Sequence, residues 1–244
     1  MYVLVDYDNL LPYQQDRGLA QLAEWASGFI ADHVDRAERR VRIRLYGGWF
    51  EDQMLSKRAQ TLSLEMQQAF PRIIRIPGDE EGAYWTASGE LALGLLAEEG
   101  QGVQLPWTYR TRSTVRGLKV RPEIMEACQH ADCRLRIIAD FLETGRCPRS
   151  ACDVRMSDFL YRSEQKLVDT MLSVDMLHAT ESGSPHVCVV SSDDDLWPAV
   201  RAVVAKRGLV LHAHTKDPGR SVGRYGTGLG GFYLQKVLWP NGGK

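Results

Sequence analysis

Strand-like and helix-like segments alternate along the first third of the chain, and this alternation limits the possible folds more than any other property. Tyr2–Val5 is a short β-rich run that reads as a buried strand. Leu19, Leu22, Ala23, Ala26, Phe29 and Ile30 then recur at helical spacing, the pattern of an amphipathic helix. Val41–Tyr46 alternates apolar and polar residues and stops at Gly47-Gly48, as a strand should. Residues from about 52 to 69 read as a second helix with Leu55, Leu62 and Met66 facing inward. Ile73–Ile76 reads as a third strand, closed by Pro77-Gly78. The order β-α-β-α-β predicts an α/β fold, a mainly parallel sheet with helices on both faces.

The pattern loosens after residue 77 and becomes regular again near residue 162. The predicted organisation is a core built from 1–77 and 162–215, an inserted mixed α/β cap over 78–161, and a tail, 216–244, packing on the core. Within the cap, helices are expected at about 122–131 and 134–144. The second core segment reads as a helix at about 163–178, a strand at His186–Val190, a helix from about Leu196 to Lys206 ended by Gly208, and a strand at Leu209–Ala213. The tail is rich in Gly, Arg and Ser. It reads as a surface loop from which Phe232–Leu234 and Val237–Trp239 dock on the body.

The 244 residues are 44% hydrophobic, enough for a sizeable core, and no apolar stretch has the length of a membrane span. The first residues run directly into a strand with no basic region or cleavage signal, and five cysteines are an odd number. Both features fit a cytoplasmic protein better than a secreted one. The net charge of −1 excludes a globally basic nucleic-acid binder but not a local patch. One such stretch, Pro106–Arg121, carries Arg110, Arg112, Arg116, Lys119 and Arg121 with no acidic residue, beside Trp107 and Tyr109. It is the expected contact for nucleic-acid phosphates and bases, unless it is a solvated hairpin whose aromatics pack on the cap.

The chemistry-bearing residues cluster where apolar runs end. Asp6, Asp8 and Asn9 follow the first run, and Asp193, Asp194 and Asp195 follow Val187–Val190. Asp commonly ends a strand or caps a helix, but one carboxylate suffices for a cap and three neighbours repel. In open α/β sheets these positions converge on one crevice. Several carboxylates there call for a cation, and hard oxygen ligands suit Mg²⁺ or Mn²⁺. Asp8 should point away from Asp6 if the strand continues. On a helix, Lys166, Asp169 and Ser173 would share one face, whereas Asp175 lies among Val174, Met176 and Leu177 and reads as structural. Cys128-x4-Cys133 and Cys147-x4-Cys152, with His130 between, offer four thiols that fit either a structural zinc site or buried free cysteines. His178, His212 and His214 occur singly or at strand spacing and receive no catalytic role.

Three motifs together carry a resemblance: Asp6-x-x-Asn9 at the first strand end, Lys166-x-Val168-Asp169 in a later helix, and Ser191-x-Asp193-x-Asp195 at a late strand end. Over about residues 1–76 and 162–215 the chain resembles the NYN branch of the PIN-like (LabA-like) ribonucleases. The resemblance implies a three-layer α/β sandwich and a nuclease, usually acting on RNA, in which water activated by Mg²⁺ or Mn²⁺ attacks phosphorus. Carried onto this chain, it makes Asp6, Asp169, Asp193 and Asp195 the metal-holding residues and Asn9 an assisting one; Lys166 reads either as a group that steadies a phosphate or as a lysine on the helix surface. The chain departs from the family at Leu167, Ser192 and Asp194, where Gly is usual, and at Leu196, where an aromatic is usual. Two other readings stand beside it. Asp6-Tyr7-Asp8 also resembles the start of a haloacid-dehalogenase-like phosphatase, with Asp6 as nucleophile. The basic stretch would also suit a nucleic-acid-binding module without catalysis.

Overall fold

The computed structural model describes residues 1–34, 40–75, 84–112, 118, 121, 130, 133–182 and 185–240. The chain divides into two compact units, one of residues 1–108 and 165–244, the other of residues 109–164.

The first unit is built on β1 (Tyr2–Asp6), whose Val3, Leu4 and Val5 are wholly buried. A strand apolar at every position must be covered on both faces. After β1 come a 3-10 turn (Tyr7–Asn9), a single helical turn α1 (Pro12–Gln15) and α2 (Gly18–Ala31). β2 (Arg40–Tyr46) is followed by a short hairpin of β3 (Phe50–Glu51) and β4 (Met54–Leu55). α3 (Lys57–Ala69) starts where the Ser56 hydroxyl accepts the Ala59 N–H as its cap. β5 (Arg72–Arg75) and β6 (Tyr84–Leu91) complete this half.

The strand order in the main sheet is β11-β10-β9-β1-β2-β6-β5, with β9 (His186–Val190), β10 (Leu209–His214) and β11 (Tyr233–Val237) contributed by the C-terminal half. Every neighbouring pair is parallel except β5–β6. β1 is therefore the strand from which the chain builds outward in both directions, and the order reverses between β1 and β9. Val3, Val5, Ile43, Cys188 and Leu211 face α2 and α3, while Leu4, Tyr46, Val187, Val189 and Val210 face the helices of the other side. α3 lies close on β6: a Cβ at Gly89 would sit 2.3 Å from Met66 Sδ and 2.5 Å from Phe70 Cδ2, so any side chain there would have to displace both.

Several sequence expectations are corrected here. The third parallel strand is β6, not Ile73–Ile76. That run, described to Arg75, is the antiparallel edge strand β5, and Ile76 lies outside the described residues. Residues 84–108, assigned from sequence to the insertion, belong to the first unit. The helix expected from 52 begins only at Lys57, because Phe50–Leu55 forms the hairpin.

In the second unit, β7 (Tyr109–Arg112) pairs with β8 (Arg162–Gln165), the last residue of which already belongs to the first unit. Between them lie α4 (Arg134–Thr144), ended by Gly145 at φ 70°, and one helical turn, α5 (Met156–Phe159). Leu135, Ile137 and Ile138 of α4 are exposed. The helix expected at 134–144 is present; the one at 122–131 falls outside the described residues apart from His130. The chain then returns to the first unit with α6 (Val168–Ser182) and, after β9, α7 (Trp197–Ala205). α6 starts later than the expected 163, and Leu167 adopts φ 70° just before it, so Lys166 is not a helical residue. In the tail, α8 (Arg220–Tyr225) precedes β11, which pairs with β10, so the docking expected of Phe232–Leu234 and Val237–Trp239 takes the form of a sheet edge over Tyr233–Val237. Among the described residues, no helix is long and apolar enough to cross a membrane.

Candidate metal centre

Register brings the first acidic residue to its partner. Val5 stands opposite Val190, so Asp6 lies beside Ser191. The Ser191 hydroxyl donates to Asp6 Oδ2 at 2.9 Å and accepts the Asp193 N–H at 3.0 Å. One buried serine thus sets both the Asp6 carboxylate and the backbone of the loop that carries Asp193. Asp193 in turn caps the 3-10 turn Asp194–Leu196, its Oδ1 accepting the Asp195 N–H at 2.9 Å.

Asp169, the second residue of α6, completes the group. Ligand oxygens of Asp6, Asp169 and Asp193 all lie within 4.8 Å of one another. Asp6 is only 4% exposed. Burial, reinforced by the charges of Asp169, Asp8 and Asp193, raises its carboxyl from 3.8 to about 7, against the lowering effect of the Ser191 hydroxyl. Burial also raises Asp169, with Asp193, Asp195 and Asp8 adding to the shift. The three carboxylates are close enough together that they could hold one metal ion.

The remaining predicted residues divide by what they touch. Asn9 Oδ1 accepts from the Ser192 N–H at 2.9 Å and from the Thr215 hydroxyl at 2.7 Å, tying the loops after β9 and β10 to the first turn. Asn9 therefore acts on the site by holding these loops. Asp195 is exposed and is not one of the three converging carboxylates. Asp8 Oδ2 accepts from the Gly48 N–H at 2.8 Å and its Oδ1 pairs with Arg58, whose guanidinium lies 5.0 Å from the Tyr7 ring centre. Asp8 is thus held by Gly48 and Arg58, but not by strand alternation: the strand ends at Asp6, Asp8 lies in the 3-10 turn, and on a continuing strand residues two apart would share a face. Lys166 is joined through its backbone N–H to Thr108 O at 2.9 Å. Ser192 forms its turn without a positive φ, its hydroxyl accepting the Lys216 N–H at 3.2 Å.

Asp175 is structural, as expected. It is wholly buried, accepting from the Tyr46 hydroxyl at 2.6 Å and the Leu96 N–H at 2.8 Å, with Arg44 Nε 3.2 Å away. Arg110 and Arg112 lie on β7, while Arg116 and Lys119 are outside the described residues, and Arg121 is exposed. No three of Cys133, Cys147, Cys152 and His130 come within 4.8 Å of one another, and Cys128 is outside the described residues. The proposed zinc site therefore gains nothing from the described cysteines.

Sequence reasoning placed Ser191 in a motif without giving it a role, gave His212 none, and missed Thr215 and Tyr233 as parts of the surrounding network. Ser191 carried a signal, since the register of two parallel strands pairs it with Asp6; the others depend on contacts far apart in sequence. No family model, curated protein or solved structure matches the chain.

Proposed function

We propose that the chain is a Mg²⁺- or Mn²⁺-dependent nuclease of the NYN type, hydrolysing phosphodiester bonds of RNA. The observation that carries this reading is the convergence of Asp6, Asp169 and Asp193, from three distant segments, at the carboxyl edge of the sheet where strand order reverses. The donor set consists of hard oxygens, and the Asp6 and Asp169 carboxyls, raised first by burial and further by the neighbouring carboxylates, carry charge that a divalent ion would offset. Asp6, Asp169 and Asp193 would hold such an ion, and its chemistry there would be to lower the pKa of a water and to offset charge on the phosphate oxygens. The chain's own part is placement. Ser191 fixes Asp6, the Asp193 cap fixes the third carboxylate, and Asn9 fastens the loops around them.

Leu167 adds support. It stands where the resembled family carries Gly, and its φ of 70° is the conformation that favours Gly. Two observations favour the nuclease over the phosphatase reading. Asp8, which the phosphatase needs as acid and base, is engaged by Arg58 and Gly48, and Asp169 has no role in that chemistry. The basic stretch 106–121 supports RNA as substrate through phosphate neutralisation and stacking.

The test is cleavage of end-labelled single-stranded and hairpin RNA with Mn²⁺, Mg²⁺ or EDTA, comparing the parent with Asp193→Asn. Cleavage that needs metal and drops at least 100-fold in the variant is the expected result. Cleavage that survives EDTA or the substitution would overturn the reading, and turnover of a small phosphomonoester with no RNA cleavage would move the case to the phosphatase.

A further inference from the structure

Beneath the loop that carries Asp193 lies a polar chain, two buried histidines joined by a half-buried tyrosine, that the proposed chemistry does not use. His212 and His214 are alternate residues of β10, 1% and 2% exposed, with ring centres 3.9 Å apart. His212 Nε2 is 3.0 Å from the Ser191 carbonyl oxygen, His212 Nδ1 is 3.1 Å from the Tyr233 hydroxyl, and that hydroxyl is 3.2 Å from His214 Nε2. Trp197 packs edge-on against His212 and tilted against Tyr233, closing the cluster from α7.

Proton accounting gives the chain a direction. A carbonyl oxygen only accepts, so His212 Nε2 must carry a hydrogen and donate to Ser191. Burial lowers His212 to about 3 and His214 to about 4, so both rings are neutral near pH 7. His212 Nδ1 is then an acceptor, and the Tyr233 O–H must donate to it. The Tyr233 oxygen is left to accept from His214 Nε2–H. Each donor and acceptor in the row has one compatible assignment, so the row has a single low-energy state. It ends on the residue whose hydroxyl holds Asp6 and whose backbone leads into Asp193. A core filled with apolar side chains would stabilise the same sheet edge without desolvating two imidazoles and a phenol.

We infer that Tyr233 and His212 are positioning residues for the acidic triad: their hydrogen-bond row clamps the Ser191 carbonyl and so fixes the Asp6 and Asp193 carboxylates at ligating distance. This inference rests on the metal-centre reading above. It also gives β11 a role, since Tyr233 comes from the strand contributed by the tail.

The experiment measures Mn²⁺ affinity from the free-ion paramagnetic resonance signal in the full chain, alongside thermal unfolding and RNA cleavage. The variants are Tyr233→Phe, His212→Leu and His212→Gln. Tyr233→Phe keeps the ring against Trp197 and removes only the hydroxyl. His212→Gln keeps an N–H donor near the Nε2 position. The expected result is a three- to tenfold loss of Mn²⁺ affinity in Tyr233→Phe and a larger loss in His212→Leu, with recovery to within twofold of the parent in His212→Gln. Nitrogen-15 shifts should show the Nε2–H tautomer of His212 in the parent. Should His212→Leu fail to fold, Tyr233→Phe carries the comparison. Unchanged Mn²⁺ affinity and cleavage in Tyr233→Phe, measured well below its melting temperature, would leave the row a packing feature and overturn the inference. A parent that binds no Mn²⁺ would overturn the metal centre and this inference together. A parent whose Mn²⁺ binding is abolished by Asp193→Asn, beside variants that bind like the parent, would overturn this inference alone.

Discussion

At Asp6 the demands of folding oppose those of the proposed metal centre. The carboxyl is buried among other acids, and its value of about 7 lies above the 3.8 it would have in the unfolded chain. Below the unfolded value both states are protonated and Asp6 costs nothing. As pH rises toward and through about 7 the native protein must hold a charge that the unfolded chain holds more easily, so stability falls. Each tenfold difference in acidity between the two states is worth about 1.4 kcal/mol, so the fall from pH 4 to pH 8 should be about 2–4 kcal/mol for Asp6. Urea unfolding in EDTA across that range should show it, and Asp6→Asn should flatten the profile. Millimolar Mg²⁺ should restore stability at the high-pH end, because an ion that binds only the native state favours it. Leu167 presents the opposite case, a local strain with a simple cure. A left-handed φ of 70° costs a branched residue about 1 kcal/mol, and its side chain is exposed. Leu167→Gly should raise stability by about 0.5 kcal/mol, net of the added freedom of the unfolded chain, and leave Mn²⁺ affinity unchanged.

Among the elements, α6 does two jobs with two aspartates. Asp169 in its first turn faces the triad, while Asp175, further along, joins the sheet through Tyr46 and Arg44. Removing Asp175 leaves the buried Tyr46 hydroxyl and Leu96 N–H without their acceptor, although Arg44 keeps Glu90, and such a loss costs about 3 kcal/mol. Asp175→Ala should therefore lower the melting temperature strongly yet keep Mn²⁺ affinity in whatever fraction stays folded, whereas Asp169→Asn should do the reverse. Calorimetry and metal titration on the two variants separate these roles. The same elements show what could be read from the chain beforehand. β1, β2, β9 and β10 were legible because their apolar residues mark buried strands, and with them the positions of Asp6 and Asp193. β6 was not, because Tyr84–Leu91 buries few of its side chains and carries Gly89 where α3 crosses it. The start of α6 was misplaced because helical spacing continues through Glu164 and Lys166, while the backbone turns left-handed at Leu167. Asp195 looked equivalent to Asp193 by spacing, but the cap at Asp193 commits the next two residues to a 3-10 turn and leaves Asp195 exposed. Strand alternation says nothing about Asp8, because the strand ends at Asp6 and Asp8 sits in the 3-10 turn; its engagement with Arg58 depends on α3, which no local pattern reveals.

For the whole molecule, the question is how a unit of residues 109–164 can be carried by a sheet protein without disturbing the site. The chain leaves the first unit after Thr108 and returns at Gln165, and the Lys166 N–H donates to Thr108 O at 2.9 Å. The two ends are thus hydrogen-bonded neighbours inside the first unit. Thr108 is nearly fully buried and accepts the Phe50 N–H through its hydroxyl, so the departure point is anchored within the first unit. Closing so short a gap costs little entropy, since loop closure depends weakly on length. None of Asp6, Asp169, Asp193 or Ser191 belongs to the second unit. Replacing residues 109–164 with a short Gly-Ser linker should therefore leave a folded protein whose Mn²⁺ affinity lies within about threefold of the parent. RNA affinity should fall by at least tenfold, because the arginines of 109–121 leave with the segment, and its dependence on salt should weaken with them. Circular dichroism, Mn²⁺ titration and RNA binding at two salt concentrations report the three quantities separately. Lost folding would mean that the second unit is part of the core; kept RNA affinity would assign substrate binding to the sheet edge around the triad.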